Sequence, residues 1–430
     1  MIRLPENPLR FGLHDEINAH PYEPLHSPER ITYLAFLVDE EQRACEGAHA
    51  ESLCRHLNLP APDMENRYIR IVSDGLRVKI ERHEEFTRYS IILYCPFGEP
   101  FAQPAACRLP AEWIEAIPGT LLVAANAAVI LATNDFKTAS PEAAAAHFPD
   151  GRLIGSGLAN GALTTYTDFR IHEDGFSHWL VYDHCQDPNQ VGRTLQRLLE
   201  VETYRMLALL AVPIVRDLRP ELKVRDRQLV ELTNDVAGGS EQSDDDLLED
   251  LTRLAADIEH LVSTHQYRFD ATRAYFGLVS SRLAQLREVK IGELATLSGY
   301  LNRRLEPIED SCESSMRWLN TLAHRVTNAS QMLRTRADVR REQQNLQLLA
   351  ALNRRSGMQL RLQQTVEAFS LAAITYAGAQ LLGIMAGALF KRGLFPFDEP
   401  TMQAIAIPVV FLLAYWGTAS IRRDAALDTA

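Results

Sequence analysis

Five acidic residues lie close together near the middle of the chain, at Asp244, Asp245, Asp246, Glu249 and Asp250. Hard divalent cations take oxygen ligands, and carboxylates supply them. In a homo-oligomer, this cluster would bind regulatory divalent cations between subunits. A divalent cation is accordingly the cofactor candidate.

Three histidines recur every six residues, at His172, His178 and His184. They would share one face of a strand pair only if no turn intervened, and Gly175 indicates a turn between the first two. Surface or core histidines are therefore favoured over a metal site. The charged run 81–85 could hold an ion, but a solvated strand end is the favoured interpretation.

The sequence contains no GxGxxG, GxxxxGK[ST], GxSxG or HExxH motif. Glu202 and Arg205 lie in an apolar helical stretch, where a buried charge would need a partner. We therefore assign no catalytic residue and predict that the protein is not an enzyme.

Two uncharged apolar segments, 368–390 and 401–421, lie near the C-terminus. About 20 such residues span the hydrocarbon core of a bilayer as a helix. The short connection 391–400 contains turn-forming residues and predicts a transmembrane hairpin with an outer loop. The alternative is two buried core helices, which rarely run this long without a charge.

The first apolar segment carries small residues at every fourth position, namely Ala379, Gly383 and Gly387. This spacing lets helix backbones approach closely. Thr375 and Gln380 add polar groups that need partners within a bilayer. Helix packing explains this face, and a pore or cavity lining is the alternative. In a ring of subunits these residues would face the axis, with Gln380 beside it.

Basic residues are concentrated before the first apolar segment. Residues 317–361 contain nine arginines against one Asp and one Glu, a net charge of +7. Arg354, Arg355 and Arg361 lie nearest the span and would meet anionic headgroups or form a basic collar around an axis. A solvated polar face is the alternative.

The basic residues that flank the two apolar segments predict their orientation. Five basic residues lie on the two terminal sides and two in the loop: Arg354, Arg355 and Arg361 before the first span and Arg422 and Arg423 after the second, against Lys391 and Arg392. This bias places both termini in the cytoplasm. Asp398 and Glu399 in the loop would then form an acidic outer mouth of a ring.

The N-terminal region shows strand and turn signals. Runs 66–72 and 76–83 flank Ser73-Asp74-Gly75 and predict a hairpin, with a further strand at 86–94. A second hairpin is predicted from 164–172 and 176–183. Helical stretches are predicted at 39–58, 110–117 and 190–217. The expected fold class is α+β, with a mixed α/β cytoplasmic domain that contains an antiparallel sheet.

Helical patterns continue from this domain to the membrane segments, with breaks expected at Gly238-Gly239-Ser240 and at Pro307. Apolar residues after Pro307 recur at intervals of three, four and seven, which is typical of a coiled-coil-like helix. The predicted organisation is a cytoplasmic domain 1–190, a helical region 191–306, a stalk helix 307–367, transmembrane helices 368–390 and 401–421 joined by the outer loop 391–400, and a cytoplasmic tail 422–430.

The 430-residue chain carries 56 acidic and 44 basic side chains, giving a net charge of −12. A nucleic-acid binder normally has a basic footprint, so nucleic acid is not an expected partner. The N-terminus lacks the apolar core of a signal peptide.

Two resemblances extend these expectations. The stretches 15–41, 167–181, 199–210 and 333–376 resemble an uncharacterised bacterial family of predicted membrane-anchored proteins, which implies a multi-pass protein of the bacterial inner membrane. The architecture resembles that of the CorA-type magnesium transporters, which implies a homopentamer with a pore lined by the first spans. The Gly-Met-Asn signature of that family is absent, and 386–390 read AGALF instead.

Two functions follow as hypotheses. The first is a CorA-like homo-oligomeric ion channel or transporter, with divalent cations as the candidate substrate. The second is a membrane-anchored scaffold or sensor, in which the hairpin only tethers and oligomerises. Membrane lipid and further copies of the same chain are the expected partners in both.

Overall fold

The computed structural model describes residues 22–63, 67–132, 139–149, 152–238, 243–391 and 399–427, with the single positions Asn7, Leu9, Arg10, His14 and Pro396. The chain divides into two compact units, Met1–Ser330 and Gln331–Ala430. We call the described part of the first unit the sheet domain. We call residues 368–427 the hairpin.

Nine strands form one sheet in the sheet domain. They are β1 Glu29–Leu37, β2 Tyr68–Ser73, β3 Leu76–Arg82, β4 Phe86–Tyr94, β5 Thr120–Leu131, β6 Ile154–Leu158, β7 Leu163–Thr167, β8 Ser177–Asp183 and β9 Val289–Lys290. The spatial order is β2-β3-β4-β1-β5-β8-β7-β6-β9. Neighbouring strands are antiparallel except β5 and β8, which are parallel. The α+β class is therefore confirmed, with a mixed sheet.

Eight helices accompany these strands in the described residues. They are α1 Glu40–His56, α2 Ala111–Glu115, α3 Pro141–Ala145, α4 Pro188–Leu209, α5 Ala211–Gly238, α6 Asp244–Gln285, α7 Leu297–Phe390 and α8 Glu399–Leu427. A short 3₁₀ turn is formed by Ala105–Arg108. The predicted break at Pro307 is wrong, because this residue lies inside α7, whose helix begins ten residues earlier.

The predicted hairpin around Gly75 is confirmed. Tyr68 pairs with Glu81 and Ser73 with Leu76, so the turn has two central residues. Asp74 and Gly75 both have positive φ, +40° and +75°, as this type of tight turn requires. The second predicted hairpin is present, but its first strand, β7, ends at Thr167 instead of residue 172.

Both faces of the β1–β4 half of the sheet are covered. Alternate residues of β1 point to opposite sides, as the period of two in a strand requires. Tyr33 lies in the cluster that contains Leu198 of α4, whereas Leu34 lies in the cluster that contains Leu53 of α1 and Trp113 of α2. The face of β3 that carries the charged residues Lys79 and Glu81 is therefore covered by protein as well, and both residues are buried.

Candidate functional site

Two helices of the structure are long and apolar enough to cross a membrane, α7 through its last turns and α8. In their most apolar 18-residue windows, 17% and 6% of the residues are buried. A core helix of a soluble protein of this length would be mostly buried. Most apolar side chains of both helices are therefore not covered by this chain, and an apolar environment or another chain would be needed to cover them.

The small-residue face of α7 contacts α8 of the same chain. Thr375, Ala379 and Gly383 are buried. A Cβ atom added at Gly383 would lie 2.8 Å from Nε2 of Gln403, and one added at Gly378 would lie 2.8 Å from Cγ1 of Val410. The absence of side chains at the two glycines therefore allows the close approach of the two helices.

Gln380, a further residue of the predicted pore lining, is half-buried. Gln380 donates through Nε2 to the hydroxyl of Tyr376 at 3.3 Å, and Thr375 donates to the carbonyl of Leu371 at 2.7 Å. Gly387 is half-buried as well. These polar side chains thus have partners within α7, and a role in lining a pore stays a prediction.

Of the two residues of the predicted outer mouth, Asp398 lies outside the described residues, and Glu399 is the first residue of α8. The three arginines of the predicted collar, Arg354, Arg355 and Arg361, are exposed on α7. None of the three has a carboxylate partner in the described part of the chain. Their charges are therefore free to meet another partner.

The acidic cluster begins helix α6. Asp244, Asp245 and Asp246 form its first turn, where the helix dipole favours negative charge. Arg253 pairs with Glu249 at 3.0 Å and with Asp250 at 3.5 Å. Within the described ranges no group of three or more His, Cys, Asp or Glu side chains is arranged to hold a metal ion. A divalent cation at this cluster stays a prediction.

Two of the three histidines are brought together by the turn that was expected to separate them. The rings of His172 and His178 stack at 4.1 Å, and Phe101 stacks on the other face of His178 at the same distance. A hairpin turn places the residues on its two sides opposite each other, so Gly175 joins the pair. His184 lies elsewhere, 3.0 Å from the hydroxyl of Thr164.

Each stacked histidine is hydrogen-bonded to an aspartate four residues before it. His172 Nε2 donates to Asp168 at 3.2 Å, and His178 Nε2 donates to Asp174 at 2.8 Å. Burial lowers the pKa of His178, and the bond to Asp174 offsets only part of that effect. The imidazole of His178 is therefore favoured in its neutral form near neutral pH.

A network of charged side chains, all of them buried except the half-buried Arg282, lies between the sheet and α4. Its members alternate in sign and are Lys79, Glu81, Arg88, Glu200 and Arg282. Glu81 is 3.2 Å from Lys79 and 2.8 Å from Arg88. Burial opposes ionisation of Glu81, but these two cations outweigh it and lower the pKa of its carboxyl. The same burial lowers the pKa of Lys79.

The cavity beside this network has a volume of about 40 Å³. It accommodates about three water molecules, since each needs at least about 10–15 Å³. Because the charges of the network are already paired, the arrangement supports the fold and leaves no room for a substrate. The sequence interpretation of 81–85 as a solvated strand end is therefore wrong for Glu81, which is buried.

Two further carboxylates are buried nearby. Glu202 is paired with Arg205 at 2.5 Å, which confirms that this buried charge has a partner. Glu29 has an exposed fraction of 1% and contacts Arg77, while its second oxygen lacks a hydrogen-bond partner among the described residues. Burial raises the pKa of Glu29 to about 7, since the attraction of Arg77 offsets only part of the desolvation.

The sequence analysis did not identify one cluster of candidate ligand-binding residues. Arg152, Arg170, Arg303 and Arg304 line a common cleft in the sheet domain. They lie up to 152 positions apart in the sequence, so no local motif could have identified them.

A family model described as a protein of unknown function, DUF3422, matches residues 5–425. No curated protein matches the chain. Since the model covers nearly the whole sequence, the chain belongs to the DUF3422 family of proteins of unknown function.

Proposed function

We propose that this protein is a membrane-anchored binding protein, a sensor or scaffold whose hairpin tethers the sheet domain to a bilayer. One observation carries the proposal. The small-residue face of α7, which would have to line a pore, contacts Gln403 of the same chain at Gly383, and Gly378 on the same helix contacts Val410. A tether needs this contact between its two helices and needs no axial opening.

The outer surface of the hairpin supports insertion into lipid. Ile384, Leu413 and Trp416 are among its exposed large apolar side chains. Apolar side chains exposed on this scale are costly in water and favourable in hydrocarbon. The collar arginines Arg354 and Arg355 precede the apolar segment, where they would meet anionic headgroups of a bacterial inner membrane. Both termini then lie in the cytoplasm.

Self-association would cover a second exposed surface. Met332, Val339 and Leu346 are spaced by seven residues along α7, and all three are exposed. A period of seven is typical of a coiled-coil seam, which a further copy of α7 would bury. The proposal therefore includes a homo-oligomer, and the CorA-like resemblance implies a pentamer.

Ion transport is the second candidate function. It is favoured by two half-buried amide side chains inside the apolar helices, Gln380 on α7 and Gln403 on α8. Polar groups inside a bilayer often mark an ion pathway. In that case the acidic cluster of α6 would bind regulatory divalent cations, and the outer mouth would concentrate cations. The resemblance to CorA-type proteins implies the same roles.

A flux experiment on the full-length protein separates the two functions. The protein is reconstituted into sealed liposomes that contain a magnesium-sensitive dye, and the external Mg²⁺ concentration is raised. The expected result is no flux above that of protein-free liposomes, while the protein stays in the membrane after extraction at alkaline pH. An ionophore added at the end confirms that the vesicles are sealed.

The variant Gly383→Leu provides the decisive comparison, with Ile384→Leu as the matched control on the exposed side of the same helix. Under the tether proposal neither variant changes the flux. A saturable cation flux in the wild type that Gly383→Leu lowers and Ile384→Leu preserves would overturn the tether and favour transport.

A further inference from the structure

A cleft of about 420 Å³ opens in the sheet domain between the start of β6, the loop after β7 and the start of α7. Sites for small molecules have volumes of roughly 300–1,000 Å³. Its polar lining consists of Arg152, Asp168, Arg170, Tyr300, Arg303 and Arg304. The cleft is thus large enough for a small ligand.

The charge of the lining selects an anion. Four guanidinium groups face one carboxylate, in a protein whose net charge is −12. Arg152, Arg303 and Arg304 have no carboxylate partner within the ranges that the structure describes. Guanidinium groups keep their charge at any physiological pH and bind phosphate oxygens through two parallel hydrogen bonds.

The arginines on α7 are held in place before any ligand binds. Arg303 donates through Nε to the carbonyl of Gly299 at 2.8 Å, which leaves its two terminal amino groups available. The guanidinium of Arg304 lies 4.3 Å from the ring centre of Tyr300. Tyr300 in turn stacks on Phe169 at 4.9 Å with an interplanar angle of 1°. Pre-positioned side chains lose little conformational entropy when a ligand binds.

The backbone amides at the start of α7 are not part of the site. Glu288 accepts hydrogen bonds from the amides of Leu297 and Ser298, at 2.8 and 3.0 Å. Thr296 accepts from the amide of Gly299 at 3.1 Å. Because these donors are already used, an anion in the cleft would be recognised by the arginine side chains.

Asp168 adds a second requirement for the ligand, which is a hydrogen-bond donor. Its exposed fraction is 4%, and its Oδ1 accepts from the amide of Arg170 at 3.1 Å and from His172. Its Oδ2 is buried and has no hydrogen-bond partner in the described part of the chain. A buried oxygen without a partner is unfavourable, and a hydrogen-bond donor on a ligand would satisfy it.

From this arrangement we propose that the cleft binds a small organic phosphate that also carries a hydroxyl group. The phosphate lies on the arginines, and the hydroxyl donates to Oδ2 of Asp168. The site is independent of the tether proposal, since it lies within the sheet domain and would serve a transporter equally well.

Calorimetric titration of the full-length protein in a neutral detergent tests this assignment. The probes are glycerol 3-phosphate, which carries both groups, and inorganic phosphate, which carries only the anion. We expect saturable binding of both, with glycerol 3-phosphate the tighter ligand. The double variant R303A/R304A should weaken both by about tenfold or more, because it removes two charge-assisted contacts.

Arg317→Ala is the matched control, since this arginine is also exposed on α7 but is paired with Glu313. It should bind both probes like the wild type. Absence of saturable binding in the wild type, or equal losses in R303A/R304A and the control, would overturn the proposal. Circular dichroism establishes that each variant is folded.

Asp168→Asn tests the proposed contact between the ligand hydroxyl and Asp168, and unlike R303A/R304A it should not weaken the binding of inorganic phosphate. An amide nitrogen in place of Oδ2 cannot accept from a hydroxyl, whereas loss of the negative charge favours any anion. The preference for glycerol 3-phosphate should therefore disappear, while inorganic phosphate binds at least as tightly as in the wild type. An unchanged preference would contradict the assigned role of Asp168.

A lipid headgroup could supply the same chemistry, and nanodiscs distinguish the two sources. The protein is placed in discs of phosphatidylcholine alone or with phosphatidylglycerol, whose headgroup is a glycerol phosphate. A lower apparent affinity for soluble glycerol 3-phosphate in the second discs, abolished by R303A/R304A, identifies the headgroup as the ligand. Equal affinity in both identifies a soluble phosphate.

Discussion

The sheet domain and the hairpin place charged and apolar groups in opposite positions. In the sheet domain, Arg88 has an exposed fraction of 2% and lies between Glu81 and Glu200. In the hairpin, Trp416 has an exposed fraction of 77%, and most large apolar side chains of α8 are exposed as well. The first region keeps charge inside, and the second keeps apolar surface outside.

The difference reflects what each region must satisfy. A charge inside a protein loses its hydration and is tolerated only beside opposite charges, so the sheet domain pairs every member of its network. An apolar helix surface is stable only against lipid or against another chain. The same chain thus combines a domain that buries paired charges with a region whose surface is suited to hydrocarbon.

The largest expected effect comes from breaking the buried network. Arg88→Met should lower the free energy of unfolding of the sheet domain by about 3–5 kcal/mol, because Glu81 and Glu200 lose a shared partner. Urea unfolding of the full-length protein in mild detergent, followed by circular dichroism, measures the loss. Arg317→Met, at an exposed pair, should stay within about 0.5 kcal/mol of the wild type. Equal losses would show that burial of charge is not what distinguishes this region.

A second test uses pH. The pKa of Glu29 is raised to about 7 in the folded protein, from an ordinary value of 4.5. The folded state therefore holds this proton more tightly than the unfolded chain, and the associated stability is lost as pH rises between these values. Glu29→Gln should remove about 1–3 kcal/mol of this pH dependence, measured as the difference in unfolding free energy between pH 5 and pH 8. The same pH dependence in both proteins would refute the assignment.

The hairpin should respond to substitution without any change in the sheet domain. Gly383→Leu forces Gln403 away from α7, and overpacking of this kind costs about 1–3 kcal/mol. Hydrogen exchange measured by mass spectrometry should then be about tenfold faster in peptides from α8. Peptides from β3 and β4 should be unchanged, and Ile384→Leu should change neither region. Faster exchange in β3 and β4 as well would contradict an effect confined to the hairpin.

The smallest effect per residue is expected at the collar. Replacement of Arg354, Arg355 and Arg361 by Gln should reduce the enrichment of anionic lipid that copurifies with the protein, by about 1 kcal/mol for each arginine. Arg317→Gln serves as the control. The effect should shrink as the salt concentration rises, because screening weakens attraction between exposed charges. An enrichment that the triple variant leaves unchanged would argue for a solvated polar face.

Local patterns were sufficient to predict several elements. The turn at Gly75 and the alternation in β2 and β3 located the first β-hairpin. The lengths of the two uncharged apolar segments located the two helices of residues 368–427. Strands β1 and β5 were missed because their apolar runs do not differ in periodicity from a buried helix. The apolar stripe after Pro307 looked uniform in the sequence, yet Val326 is buried and Met332 is exposed.

The sites depended on tertiary contacts that no local pattern encodes. The charged face of β3 looked solvated because α4, which covers it, begins about a hundred residues later in the sequence. His172 and His178 looked separated because the turn between them was taken as a divider, whereas a hairpin brings such residues together. The arginine-lined cleft joins three distant segments, so only the fold could identify it.

The buried network also has a consequence for sequence variation among homologues. Lys79, Glu81, Arg88, Glu200 and Arg282 each need a neighbour of opposite charge. A single replacement leaves a charge without its partner, whereas a concerted exchange of partners, or replacement of the whole set by apolar residues, keeps the interior balanced. These five positions should therefore covary within the family, although they are spread over some two hundred residues.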